Sequence, residues 1–152
     1  MKNLRDAKKE NNFVIFVDTF LKTDVNKLFT GLLMIELKRI LKKKFEFYNK
    51  DIAGLQNTLN KSINELDKSK KQINLKLINF RKEDNQDVLF SILIDLREIF
   101  GNLKELQNEF YSSFLTIFED EDSAKDVIYN SKLGREINLL ISSLERSIKE
   151  FE

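Results

Sequence analysis

The sequence has no cysteine, no histidine, no tryptophan and no proline, and only four glycines among 152 residues. Without cysteine there is no disulfide, no thiolate nucleophile and no cysteine-based zinc site. Without histidine, the usual general base near neutral pH and the commonest transition-metal ligand are both missing. Ser-His-Asp and Cys-His catalysis are therefore excluded. Turn-rich all-β folds need proline and glycine, so their scarcity argues against one. Long hydrophobic runs are also missing. Phe13-Val14-Ile15-Phe16-Val17 follows a charged start, but Asp18 interrupts it and no small-residue cleavage site follows. It is far too short to span a bilayer and does not read as a signal peptide. No cysteine is available for lipidation. A cytoplasmic location is the expectation, with no membrane insertion.

What the chain does have is charge and phenylalanine. Charged residues make up 34% and hydrophobic residues 41%, with thirteen phenylalanines. That balance suits an elongated helical protein with a large solvated surface, in one domain covering 1–152. The net charge of +1 hides an asymmetry. Residues 1–82 carry 19 Lys/Arg against 9 Asp/Glu, and residues 83–152 carry 7 against 16. The expectation is that the two halves lie against each other and neutralise, leaving little affinity for nucleic acid.

The apolar spacing is helical almost throughout. Leu41, Phe45, Tyr48, Ile52, Leu55 and Leu59 alternate in steps of three and four. Ile63, Leu66, Ile73, Leu77 and Phe80 continue the seam after a stutter, with Lys70 on it. Such a stripe keeps facing a neighbour over many turns, as in coiled coils and long bundles. Upstream, Val25 to Leu41 carries a wider stripe that Thr23 or Asp24 can cap. No proline breaks the path from Asp24 to Lys82. One helix of that length would run roughly 90 Å at 1.5 Å per residue. The alternative is a break at Asn49-Lys50-Asp51, with Asp51 capping the next helix. A polar turn at 83–87 precedes a second strong stripe through Leu89, Ile92, Leu93, Leu96, Ile99, Phe100, Leu103, Leu106, Phe110, Phe114 and Ile117. Glu119-Asp120-Glu121-Asp122 closes it, and Ser123 with Asp126 reads as a capping box. Residues 129–134 read as irregular. Residues 1–22 are expected to be helical, because no second strand exists to pair with 13–17. The expected fold is all-α, an elongated antiparallel helical bundle or coiled coil of three to four long helices.

No motif carries chemistry. The cluster Lys38-Arg39-Ile40-Leu41-Lys42-Lys43-Lys44 reads as solvated lysines flanking a buried apolar face. Glu119–Asp122 lacks the ligand spacing and glycine of a calcium loop. The aromatics Phe45, Phe47, Tyr48, Phe110, Tyr111, Phe114 and Phe118 recur at helical spacing and are expected in the core. No cofactor, no metal and no enzymatic activity are expected. The last helix, with Ile137, Leu140, Leu144, Ile148 and Phe151 beside Ser142, Ser143 and Ser147, has a sparser stripe. As a terminal amphipathic helix after an irregular segment, 129–152 is a candidate movable element that exchanges with a partner's helix.

The order of elements over about 25–150 resembles the FlgN-type flagellar export chaperones. The resemblance runs through Glu36, Asp51-Ile52-Ala53-Gly54-Leu55, Lys61, Ile63 and Leu66 in the first long helix and Asn102 and Asn108 in the second. It continues through Tyr129-Asn130-Ser131-Lys132-Leu133-Gly134, one residue longer than the family's segment. It implies a small cytosolic helical chaperone that holds hook–filament junction proteins for the flagellar type III export gate. It also implies partner binding by the C-terminal part, here Tyr129, Gly134, Ile137, Leu140, Ile141, Leu144, Ile148 and Phe151. Two other classes fit the same composition: a phage- or plasmid-type inhibitor of a host enzyme, and a helical surface or structural binding protein.

Overall fold

The computed structural model describes residues 4–152, with the side chain of Arg5 excepted. The fold is all-α, and no strand occurs among the described residues. Helix α1 spans Leu4–Lys22. Helix α2, Val25–Gly31, continues through a π-helical stretch, Leu32–Leu37, into the short α3, Lys38–Leu41. A 3₁₀ segment, Lys42–Tyr48, leads into the 35-residue α4, Asn49–Glu83. Helix α5, Gln86–Phe118, returns antiparallel to α4, and these two form the longest hairpin of the fold. The short α6, Glu121–Lys125, and a π-helical stretch, Asp126–Asn130, precede α7, Lys132–Phe151. Joining the short pieces gives five long helical courses. That is one more than the upper expectation, because the path from Asp24 to Lys82 divides.

The helical run from Val25 to Glu83 is interrupted twice: at Lys42, whose φ of 54° and ψ of −121° end α3, and at Tyr48, after which α4 begins at the expected Asn49, with Asp51 inside its first turn and not its cap. Asn49 starts α4 without a side-chain cap. The caps elsewhere are local and readable. Asp24 accepts a hydrogen bond from the Lys27 amide, Asn85 from that of Asp87, and Ser131 from that of Gly134. At α6 the cap is Asp120, not Ser123. Asp120 accepts from the Asp122 amide and from the Ser123 hydroxyl. These two bonds hold its carboxyl below the usual range. The expected irregular stretch at 129–134 shrinks to Ser131, since helical turns lie on either side of it.

The core follows the stripes. In α5 every apolar position of the sequence stripe is buried except Phe100, which is half-buried. Phe29 meets Phe110 edge to face, and Phe110 lies tilted against Phe114. Phe47 departs from expectation. It is 84% exposed, because the 3₁₀ segment that carries it buries none of its residues. The charged halves do meet, since α4 lies along α5. Lys76 and Asp95 form an ion pair across them at 2.6 Å. Arg81–Asp18 and Arg97–Glu152 stay within one half each.

Candidate functional site

The C-terminal segment is packed into the molecule. Ile137, Ile141, Leu144, Ile148 and Phe151 are buried, Leu144 completely. Leu140 is half-buried, while Tyr129 is 37% exposed. Their spacing of four, three, four and three places one continuous apolar edge against α1, α2 and α5. The stripe is narrow, and all of it but Leu140 is buried in the core.

Both ends of α7 are fastened. At the start, Ser131 caps the helix and also donates to the Val127 carbonyl. The Glu36 carboxylate, buried in the first π-helical stretch, accepts from the Leu133 amide at 3.3 Å. An acid at a helix N-terminus suits the helix dipole. Gly134 lies so close to the preceding turn that a Cβ there would sit 2.3 Å from the Ile128 carbonyl oxygen. A Cβ at Gly31 would stand 2.5 Å from Leu133 Cδ1, the tip of a side chain that can shift. The glycine of the Tyr129–Gly134 segment therefore marks a close approach of backbone, not a hinge. Farther along, Gln107 donates to Asn138. At the C-terminal end, Phe151 stacks on Phe13 with ring centroids 4.1 Å apart, Phe90 lies at 5.6 Å, and Arg97 pairs with Glu152. In this packing the apolar edge of α7 is available to a partner only if the helix leaves its seat.

The open surface is elsewhere. A trough runs along the α4–α5 hairpin, lined by those two helices alone. Its widest part is a pocket of about 770 Å³ between Lys50, Asp51, Gly54 and Thr58 on α4 and Glu105, Glu109 and Ser112 on α5. A second section of about 250 Å³ shares Thr58, Glu105 and Glu109 with the first and adds Lys61, Glu65 and Asn102. A narrow third section reaches Ile63, Leu66, Ser69 and Ile99. From residue 50 to residue 65 of α4 the two wide sections make a course of roughly 23 Å at 1.5 Å per residue, and the third is nearly closed, at about 10 Å³. Short side chains on successive turns, Gly54, Thr58 and Ser62, keep the floor low, and no atom lies within 4 Å of where a Cβ of Gly54 would stand. Four carboxylates, Asp51, Glu65, Glu105 and Glu109, outnumber Lys50 and Lys61 along it.

The spacing rules missed this trough because they score apolar faces, and its two wide sections are lined mainly by polar residues. The signal that could have found it is the recurrence of small residues at 54, 58, 62 and 69 on the side of α4 next to its apolar seam. The residues that carry the family resemblance within α4 and α5 fall here. Asp51, Gly54, Leu55, Lys61, Ile63, Leu66, Asn102 and Asn108 line one or another section, whereas Ile52 belongs to the core and Ala53 to the solvated face.

One buried-side cation is structural. Lys70 donates to the Thr23 carbonyl at 2.7 Å and lies over the Phe20 ring, tying the α1–α2 corner to α4. Burial lowers its pKa, against the opposing pull of Asp67 and Asp24. Among the described residues no group of three or more Asp and Glu could hold a metal ion, and no helix is long and apolar enough to cross a membrane. No family model, curated protein or solved structure matches the chain.

Proposed function

We propose that this protein is a non-catalytic helix-binding protein, a cytoplasmic export chaperone for hook–filament junction proteins of the flagellum, and that its cargo lies along the α4–α5 trough. The observation that carries the reading is the trough itself. Its two open sections run for about four turns of α4, face solvent, and are covered by no other helix of the described chain. The resemblance to FlgN-type chaperones supports the cargo class, because eight of the residues that carry it line the trough. The excess of carboxylates selects a cargo helix with lysine or arginine on the docking face and small or apolar residues between them. On this reading the cargo docks on the long hairpin and α7 stays in its seat.

The test is complex formation between the purified protein and the hook–filament junction proteins of the same genome, read by size-exclusion chromatography and calorimetry. The wild type is expected to form a stable complex. Gly54→Trp combined with Ser112→Trp fills the widest section from the solvent side and is expected to weaken it at least tenfold with the melting curve unchanged. Absence of any complex with the wild type would overturn the cargo assignment. A complex that survives the filled trough would place the cargo on another surface.

A further inference from the structure

Between Lys38 and Lys50 the chain carries six cations and one anion, the densest positive charge in the sequence. Five of the six, Lys38, Arg39, Lys42, Lys43 and Lys44, fall in seven residues around the turn that ends α3. The structure shows how little of this charge is used internally. Arg39 approaches Glu36 at 3.6 Å, and Lys38 lies over the Phe45 ring. Among the described residues Lys42, Lys43 and Lys44 make no ion pair and no side-chain hydrogen bond, and all three are exposed.

The segment is also a projection. None of residues 42–48 is buried, and its neighbours in space are mainly the helices it joins. Lys42 holds a positive φ, so the backbone turns outward at a residue that pays strain for doing so. Phe47 stands out at 84% exposure, with Ile40 partly exposed on the turn before. A ring that could have been buried is instead displayed among lysines.

We infer that the 38–48 corner is a peripheral docking site for an anionic lipid surface, with the lysines against the headgroups and Phe47 inserted between them. Three features favour a lipid surface over other polyanions. None of residues 42–48 is buried, and none of the trough sections includes a residue of 38–48. A flat surface meets such an exposed tip, whereas an extended acidic chain is held in a groove. A duplex needs a track of cations, whereas five of these are confined to seven residues at one turn. Finally, Phe47 projects alone, while Phe45 and Tyr48 are half-buried against the core, so there is no stacking platform for bases. A single apolar wedge inside a ring of basic side chains is the pattern of an interfacial anchor. The site is separate from the trough, so it stands whether or not a cargo binds there.

Vesicle co-sedimentation tests this with the full chain, using phosphatidylcholine vesicles with and without phosphatidylglycerol. Binding is expected only with phosphatidylglycerol. It should fade as salt shortens the screening length from about 10 Å to about 3 Å. Each basic residue near such a surface is worth about fivefold in partitioning, so Lys43→Ala with Lys44→Ala should weaken binding about 25-fold. Phe47→Ser should weaken it further and leave the salt dependence unchanged. Both variants alter exposed side chains, and unchanged helical circular dichroism checks that they fold. Equal binding to neutral vesicles, no binding to anionic ones, or indifference to both substitutions would overturn the proposal. So would affinity for duplex DNA or for polyglutamate equal to that for anionic vesicles.

Discussion

A methyl group added at Gly134 would stand 2.3 Å from one carbonyl oxygen and 2.6 Å from another, whereas one added at Gly54 meets nothing within 4 Å. The same substitution therefore has opposite signs at the two positions. Gly134→Ala must push α7 away from the turn of residues 127–128 and is expected to cost about 2–4 kcal/mol in urea unfolding. Gly54→Ala only restricts the unfolded chain in an exposed helix and is expected to gain about 0.5–1 kcal/mol. Lys42 is the converse case. Its positive φ is one that glycine adopts freely, so Lys42→Gly is expected to stabilise by about 1 kcal/mol. Lys70 adds a pH dependence. Its folded pKa lies below 10.5, so burying the charged form costs stability at neutral pH. The cost disappears as pH rises through the folded value toward 10.5, because over that window the unfolded chain binds the extra proton. Chemical unfolding of wild type and Lys70→Met over that alkaline range should show the wild type gaining relative to the variant.

At the scale of elements, α7 decides between two pictures. An amphipathic helix lightly held at the end of a bundle would tolerate charge on its stripe. Here Leu144 is fully buried and both ends of the helix are tied. Replacing Leu140 and Leu144 together by aspartate is expected to unfold the protein cooperatively, with loss of most far-ultraviolet helical signal at 25 °C. A double variant that kept its helicity would show α7 to be separable from the rest. The stripe of α7 was legible in the sequence, as was that of α5, because both alternate in threes and fours with few exceptions. Which stripe would be covered was not legible, since the cover for α7 comes in part from α1, more than a hundred residues away. The break at Lys42 was illegible for a different reason. The chain turns there without glycine or proline, and the apolar seam runs through the turn as though it were helix. The boundary at Asn49 was legible, and Asp51 sits in the first turn of α4.

For the whole molecule, the even distribution of helix conceals an uneven distribution of stability. Helix α5 touches α4 on one side and α7 on another, and it buries residues along its full length, from Leu89 to Ile117. The first turn of α1 is exposed, and its buried positions begin only at Glu10. Native-state hydrogen exchange should find the slowest amides in the middle of α5 and the fastest helical amides before residue 10. The charge asymmetry between the halves pointed correctly to their juxtaposition. It did not show that few ion pairs would result. Most of the mutual attraction acts between solvated side chains, so moderate salt should change the melting temperature only slightly.

The stack of Phe13 on Phe151 joins the first helix to the last. Synthesis on the ribosome delivers those two rings far apart in time, roughly 7–30 s at about 5–20 residues per second. During that interval Phe13 lacks the ring that covers it in the finished fold. The nascent chain therefore presents an uncovered apolar ring on α1 until α7 emerges. A premature stop codon anywhere in α7 would make that exposure permanent, and the truncated product should be cleared or aggregate, not persist as a shorter working bundle.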